Sequence, residues 1–252
     1  MYDTMVSGWT LSQAYHESLK ELWYTGDETD CQDWNCKQLE LSMTMKVFEP
    51  LSEPMISKCF IGGFYELQQY VMEMLDGILD FKIKDDLTWD YTYHERYAWQ
   101  YNWLIEELRR NPSTRRAVLT IRDPQIDMKV DDPACLQHIQ YFIRDNKLHC
   151  KVLFRSNDAC KATFMNAFAL IMLQKKIADE LGIEVGTYVH RANSFHCYQK
   201  DYPLLEKYVN RIEHDLDVTY DYENDWKPLM EKEIPNIMKQ VEALKVPIGM
   251  SE

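Results

Sequence analysis

Glycine is scarce in this chain, with 8 among 252 residues, and no segment is glycine-rich. A glycine-rich phosphate loop is therefore absent. Basic charge is also short: 28 Lys and Arg stand against 41 Asp and Glu, a formal net charge of −13. Proteins that bind nucleic acid polymers carry a basic field, so a duplex is excluded as the expected partner. A small phosphate ester is not excluded, because a few arginines converging locally suffice. Long apolar runs are missing: the most apolar stretch, around Ala167–Leu173, is far too short to span a bilayer. The start, Met1-Tyr2-Asp3, carries no basic stretch followed by an apolar run, so a cytoplasmic protein with no membrane partner is expected. Seven cysteines form no even framework, and Cys31-x4-Cys36 lacks the second pair that a zinc site needs. Internal repeats, low-complexity tracts and linker-like segments are absent, and Pro50–Pro54 reads as a loop.

What remains is ordinary globular composition, 46% hydrophobic, with 7 Trp and 16 Tyr. That is enough for one large domain, read as residues 1–252. Helical spacing appears in Thr10–Tyr24 behind a Thr10 cap, in Gly62–Leu79, and in Tyr97–Arg110 before Asn111-Pro112. It returns in Ala162–Leu181, ended by Gly182, and in Leu204–Asp215 and Trp226–Leu244. Alternation predicts strands at Lys37–Phe48, Ala117–Ile121 and Glu184–Cys197. Leu136–Phe142 and Leu148–Phe154 are predicted to form a hairpin around Asp145-Asn146-Lys147. The order shows hairpins and no βαβ repeat, which predicts an α+β fold around a mixed sheet.

Four islands carry chemistry. Arg115 and Arg116 enter a strand where a helix has just ended; alone, the pair reads as a solvated basic turn. Cys135 opens the first hairpin strand, and a lone cysteine there is ordinarily core. Arg155 and Ser156 leave the second hairpin strand with a guanidinium fork and a hydroxyl, both suited to phosphate oxygens. The hairpin brings Cys135 near Arg155, and a cation near a thiol favours the attacking thiolate. The structural alternative is a turn capped by Ser156 and Asp158. His196 and Tyr198 alternate on one strand face and can reach one ligand. Asn166 lies in an apolar helix, where its amide must find partners.

Taken together, from Asn111 to Tyr198, these islands resemble one family. The run "NPSTRRAVLTIRDPQIDMKVDDPACLQHIQYFIRDNKLHCKVLFRSNDACKATFMNAFAL" is similar to the core of the thymidylate synthase family, and "LGIEVGTYVHRANSFHCY" is similar to its closing strand. "YTYHERY" (Tyr91–Tyr97) resembles the Y-x-Y-G-x-R element of the shorter archaeal branch. The resemblance implies a sheet-face homodimer and one-carbon transfer to C5 of a pyrimidine nucleoside monophosphate, with 5,10-methylenetetrahydrofolate as cosubstrate. It implies that Cys135 is the nucleophile at C6 and that Arg155 and Ser156 bind phosphate. Arg115 and Arg116 would complete the neighbouring subunit's site. Asn166 would read the N3/O4 edge of uracil, and His196 and Tyr198 the ribose 3′-hydroxyl. Asp158 would stand at the pterin–pyrimidine junction and Tyr93 in the proton-transfer network. Glu66 in "YELQQY" is the expected acid/base glutamate, with Glu73 behind it.

The departures matter. Ala134-Cys135-Leu136 replaces Pro-Cys-His, Ala192-Asn193-Ser194 replaces Leu-Gly-Asp, and the R-x-G phosphate loop is missing. The end, Gly249-Met250-Ser251-Glu252, is unlike the short apolar tail that closes over folate. Three readings follow: a thymidylate synthase acting on dUMP, a dUMP, dCMP or CMP hydroxymethylase in which water takes the place of hydride, or an inactive nucleotide-binding dimer.

Overall fold

The computed structural model describes residues 2–83, 89–214 and 217–245. The atypical C-terminal tetrapeptide and the predicted helix end at Asp215 lie outside the described residues.

Asp3–Gly8 (β1) precedes the first helix, Leu11–Thr25 (α1). Thr10 caps α1 as predicted: its side chain accepts from the Gln13 N–H, and Gln13 answers in a capping box. Asp27–Cys31 (β2) and Cys36–Val47 (β3) form a hairpin. After the short Ile56–Ser57 (β4) come Phe64–Asp76 (α2) and Tyr93–Arg110 (α3). Val118–Thr120 (β5) and the single turn Pro124–Asp127 (α4) lead to the long hairpin, Leu136–Arg144 (β6) and Lys147–Asp158 (β7). Its turn is two residues, Asp145 and Asn146, at φ 52° and 58°. Asp and Asn tolerate this left-handed conformation, which the twist of a tight hairpin demands. Thr163–Leu181 (α5) ends at Gly182, φ 69°, in the predicted C-terminal role. Glu184–Tyr198 (β8), Tyr202–His214 (α6), Thr219–Tyr220 (β9) and Lys227–Lys245 (α7) complete the order.

The main sheet has the order β1-β3-β8-β7-β6-β5, with β2 also paired to β3. It is mixed, as predicted: β1 and β3 run parallel, β3 and β8 antiparallel, β7 and β8 parallel, and β6 and β7 antiparallel. The expectation of hairpins without a crossover is corrected at two places: β1 and β3 run parallel with α1 and β2 between them, and the second parallel pair lies at the centre of the sheet. Strands β7 and β8 are parallel, and α5 is the crossover between them. Helix α5 is apolar nearly all round because it is buried nearly all round, Ile171, Leu173 and Ile177 included. Gln174, fully buried on α5, donates to the Leu148 carbonyl of β7 at 2.7 Å and lies 3.2 Å from that of Gly186 in β8. One polar side chain thus stitches the crossover helix to both strands it joins.

Side chains on the helix-covered face are buried, as with Tyr188, His190 and Ala192 on β8. Their neighbours on the opposite face, Val189 and Arg191, are only half-buried, and so are Thr44 on β3 and Leu153 on β7. That face carries Arg191, whose guanidinium bonds Asp3 at 2.8 Å and the hydroxyls of Thr44 and Ser42 at 2.9 and 2.6 Å. A second, smaller apolar cluster, Met72, Leu79, Ile237 and Val241, fixes α7 against α2. Among the described residues, no helix is long and apolar enough to cross a membrane.

Candidate active site

Cys135 immediately precedes β6, half-buried, and pairing with β7 sets its surroundings. The Arg155 N–H donates to the Cys135 carbonyl at 2.8 Å, so the two residues lie side by side as the hairpin predicted. The Arg155 guanidinium turns onto the segment before the cysteine. It donates to the Pro133 carbonyl at 2.6 Å and the Ala134 carbonyl at 3.3 Å, and meets Asp132 at 3.5 Å. Burial pushes the Cys135 thiol up, Arg155 pulls it down, and Asp132 pushes it up again. The net shift is upward. This corrects the expectation that Arg155 alone would favour the thiolate: the cation is in place, but desolvation outweighs it.

The parallel register of β7 and β8 sets Ser156 beside Ser194 and Asp158 beside His196, while β3 sets Glu40 beside His196 and Gln38 beside Tyr198. Polar side chains from three strands therefore gather at one end of the sheet. His196 is 4% exposed, and its Nδ1 lies 3.3 Å from both the Ser156 hydroxyl and the Ser194 carbonyl. Its ring meets that of Tyr198 edge-on at 4.8 Å. Burial lowers the His196 pKa against the pull of Asp158. Asp158 has one carboxylate oxygen in the turn that follows, accepting from the Cys160 and Lys161 N–H groups at 2.9 Å each. Burial raises its carboxyl.

Three tyrosines crowd the cysteine from the other side. The Tyr93 hydroxyl accepts from the Leu136 N–H at 3.4 Å, and its ring lies 5.6 Å from that of Tyr91. Tyr70, on α2, donates its hydroxyl hydrogen to Asn166 Oδ1. Burial pushes all three phenols up, Tyr91 to about 12, and Cys135 acts electrostatically on each. Next to them opens a cavity of about 360 Å³, lined by Tyr70, Glu73, Met74, Trp89, Tyr91 and Asp132 among others. Cys135 itself is not among its lining residues; Tyr70, Tyr93 and Asp132 connect the cysteine to it.

The two candidate glutamates separate. Glu66 is exposed at the start of α2, and its carboxylate accepts from the Gly63 N–H at 2.8 Å as part of the helix cap. It does not reach the cavity. Glu73 does, on the same helix as Tyr70 and three residues on, so both project from one face. It accepts from the Gln69 amide at 2.8 Å, and burial raises its carboxyl. Arg115 and Arg116 are exposed in the segment just before β5, at the edge of the sheet. They lie apart from this chain's own Cys135: β5 pairs antiparallel with β6, Val118 opposite Gln140, so the two arginines stand toward the far end of β6, where the Arg115 carbonyl accepts from the Gln140 amide at 3.0 Å. Sequence reading missed Tyr70, Tyr91, Trp89 and Asp132. Tyr70 had a signal in its i,i+3 spacing with Glu73, and Tyr91 in its alternation with Tyr93.

A solved structure shares this fold: thermostable thymidylate synthase A from Bacillus subtilis, at a TM-score of 0.64 and 20% identity, over 80% of this chain and 84% of that one. A family model described as thymidylate synthase matches residues 57–233, more than half of the chain. A Methanocaldococcus jannaschii protein provisionally named a thymidylate synthase is 39% identical over 125 residues, 47% of this chain and 56% of its own length. One of the same provisional name from Methanococcoides burtonii is 27% identical over 216 residues, 83% of this chain and 96% of that one. The Listeria monocytogenes thymidylate synthase is 29% identical over 113 residues, 45% of this chain and 36% of that one. The molecule is an enzyme of the methyltransferase type, one that transfers a one-carbon unit. It belongs to the thymidylate synthase family.

Proposed function

We propose that this chain, as one catalytic domain, converts dUMP to dTMP with 5,10-methylenetetrahydrofolate. The observation that carries the reading is Arg155 paired beside Cys135, with Ser156 next on the strand and a buried Asn166 tied through Tyr70 to the same cluster, beside the cavity. The Cys135 sulfur adds to C6 of the pyrimidine, and C5 becomes the carbon that attacks the one-carbon unit. Arg155 holds backbone carbonyls in the free protein, and a phosphate offers it stronger, charge-assisted bonds. Ser156 adds a hydroxyl donor. Asn166 presents its amide to the N3/O4 edge of the base, and His196 and Tyr198 take the ribose hydroxyl.

Glu73 is the acid/base carboxylate of this proposal, in place of Glu66. A carboxyl raised by burial holds a proton nearer to neutral pH and can pass it on, with the Tyr93 hydroxyl next in line. The cavity suits a pterin ring: Trp89 and Tyr91 offer aromatic surfaces, and Glu73, Asp90 and Asp132 offer acceptors to ring N–H donors. The folate would supply the carbon at the methylene level and then the hydride. The half-buried sheet face around Val189 and Leu153 is the surface on which two subunits would meet, and Arg115 and Arg116 would then complete the neighbour's phosphate site. Incubation with 5-fluoro-dUMP and methylenetetrahydrofolate tests the whole reading. A covalent ternary complex through Cys135, seen by intact-protein mass spectrometry, is the expected result; its absence would sink the proposal.

A second reading draws on the same cavity. Three carboxylates line it, Glu73, Asp90 and Asp132, and such a wall holds water well. Water in the place of hydride would make the chain a hydroxymethylase. The product mass from dUMP, dCMP and CMP separates the two.

A further inference from the structure

We propose that Tyr70 is a specificity-determining residue: it fixes which way the Asn166 amide faces and thereby which base the site accepts. This rests on the reading of Asn166 as the base-reading residue.

Asn166 lies in the first turn of α5, 5% exposed, with Phe164, Ala167 and Phe168 around it in sequence, all buried. A side-chain amide has a donor end and an acceptor end of nearly the same shape. Presented one way, it matches the N3–H and O4 of uracil. Turned by 180°, it matches the N3 and exocyclic amino group of cytosine. An asparagine free to turn would discriminate poorly between the two.

Here it is not free. The Tyr70 hydroxyl points at Asn166 Oδ1, and a hydroxyl facing a carbonyl oxygen donates. Turning the amide would set its N–H groups against that hydroxyl, whose hydrogen would then need another acceptor. The hydroxyl makes its bond to Asn166 and not to the nearby Glu73, one of whose carboxylate oxygens accepts from the Gln69 amide. Tyr70 is itself held firmly, because α2 packs along α5 and the phenol lies among Tyr91, Tyr93 and Cys135. The Oδ1 atom keeps a second lone pair for a ligand, and Nδ2 remains a donor. The amide is therefore presented with one polarity.

The test is calorimetric binding of dUMP and dCMP to the full-length protein without folate, so that no turnover occurs. Wild type should prefer dUMP. Tyr70→Phe, which keeps the ring and removes only the hydroxyl, should narrow that preference by about tenfold, equivalent to about 1.4 kcal/mol. Most of the change should appear as improved dCMP binding. A purely structural role is separated by repeating the comparison in an Asn166→Ala background, where removing the Tyr70 hydroxyl should leave the ratio unchanged. Thermal unfolding of each variant checks that it folds. An unchanged ratio in Tyr70→Phe, or an equal shift in the Asn166→Ala background, overturns the role of Tyr70 while leaving the nucleotide reading standing. A wild-type protein that binds neither nucleotide overturns that reading itself, and the base-selecting role with it.

Discussion

At Cys135, three opposing influences meet in one thiol: burial raises its pKa, Arg155 lowers it, and the exposed Asp132 raises it. Because the net shift is upward, alkylation of Cys135 in the free enzyme should have its midpoint above the ~8.5 of a free cysteine. Below that midpoint the rate should rise tenfold per pH unit. A plateau already reached at neutral pH, measured by iodoacetamide labelling and peptide mapping, would contradict the balance of charges described here. Cys135→Ser should abolish turnover while leaving nucleotide binding intact, since a serine hydroxyl lacks the nucleophilicity of a thiolate near neutral pH. Turnover above roughly a tenth of wild type would remove Cys135 from the nucleophile's role. Asn166→Asp bears on the base. A carboxylate offers only acceptors and leaves uracil O4 facing negative charge, so the kcat/KM ratio should move about tenfold to a hundredfold toward dCMP. A wild type that already prefers a cytosine nucleotide would favour the hydroxymethylase reading instead.

Among the elements, the short α4 carries more than its length suggests. Asp127, with its side chain fully buried, receives Arg96 from α3 at 2.9 Å and the Asp123 N–H at 2.9 Å. Arg122 stands 3.5 Å away. This pairing anchors the start of the segment that runs to Cys135. Asp127→Ala would strand Arg96, one of whose nitrogens already lacks a partner, and should cost about 3–5 kcal/mol in denaturant unfolding. Arg96 belongs to the "YTYHERY" element, so the sequence marked the residue but not its structural work.

Legibility followed burial and length. Helices α1, α5 and α7 and strands β3, β6, β7 and β8 were readable because each has a continuous apolar stripe or alternation. Strand β2, "DETDC", was not: it lies beside β3 only, and its acidic side chains carry no apolar period. Strand β1 is half exposed along its length, with Met5 open to solvent. Helical spacing predicts the start of α3 at Tyr97, four residues late, because the Thr92 cap is followed by a turn of tyrosine, histidine and charge. The glutamate shows what spacing alone cannot decide. Glu66 and Glu73 are seven residues apart, nearly the same phase on a helix but about 10 Å apart along its axis. Periodicity gives the face, and only the three-dimensional position of the cavity shows that Glu73 lines it and Glu66 does not.

For the whole molecule, two predictions follow from charge and assembly. His16 is held near pKa 4 by burial against the Ser57 hydroxyl at 2.8 Å, with Lys20 adding to the shift. His190 is held near 3, between Tyr188 and Asn157 and stacked on Phe154 at 4.6 Å. Unfolded histidine titrates near 6.5, so below that pH the unfolded chain takes protons that the fold refuses. Stability should therefore fall as pH drops from about 6.5 toward 4, by about 1.4 kcal/mol per unit for each histidine. The raised carboxyls of Glu73 and Asp158 work oppositely: their share is present at low pH and lost as pH rises through their folded values. Urea unfolding across this range should show the decline, and His190→Gln should flatten it by about one proton.

Assembly is tested by mixing Arg116→Ala and Cys135→Ser proteins, each of which should be inactive alone. Subunit exchange should restore one good site per mixed dimer. No recovered activity despite demonstrated exchange would count against sites shared between subunits.

The place of β8 at the centre of the sheet has a consequence for synthesis. It pairs with β3 on one side and β7 on the other, and those two strands have no other connection in the sheet. On the ribosome, residues 3–47 and 118–158 emerge first, as two half-sheets that wait for a strand ending at Tyr198. Until then each presents an unpaired edge, the kind of surface that recruits other chains. Release of truncated chains from stalled ribosomes should therefore yield aggregates when the stall leaves β8 unmade, and soluble protein once residue 198 and the helix behind it are free.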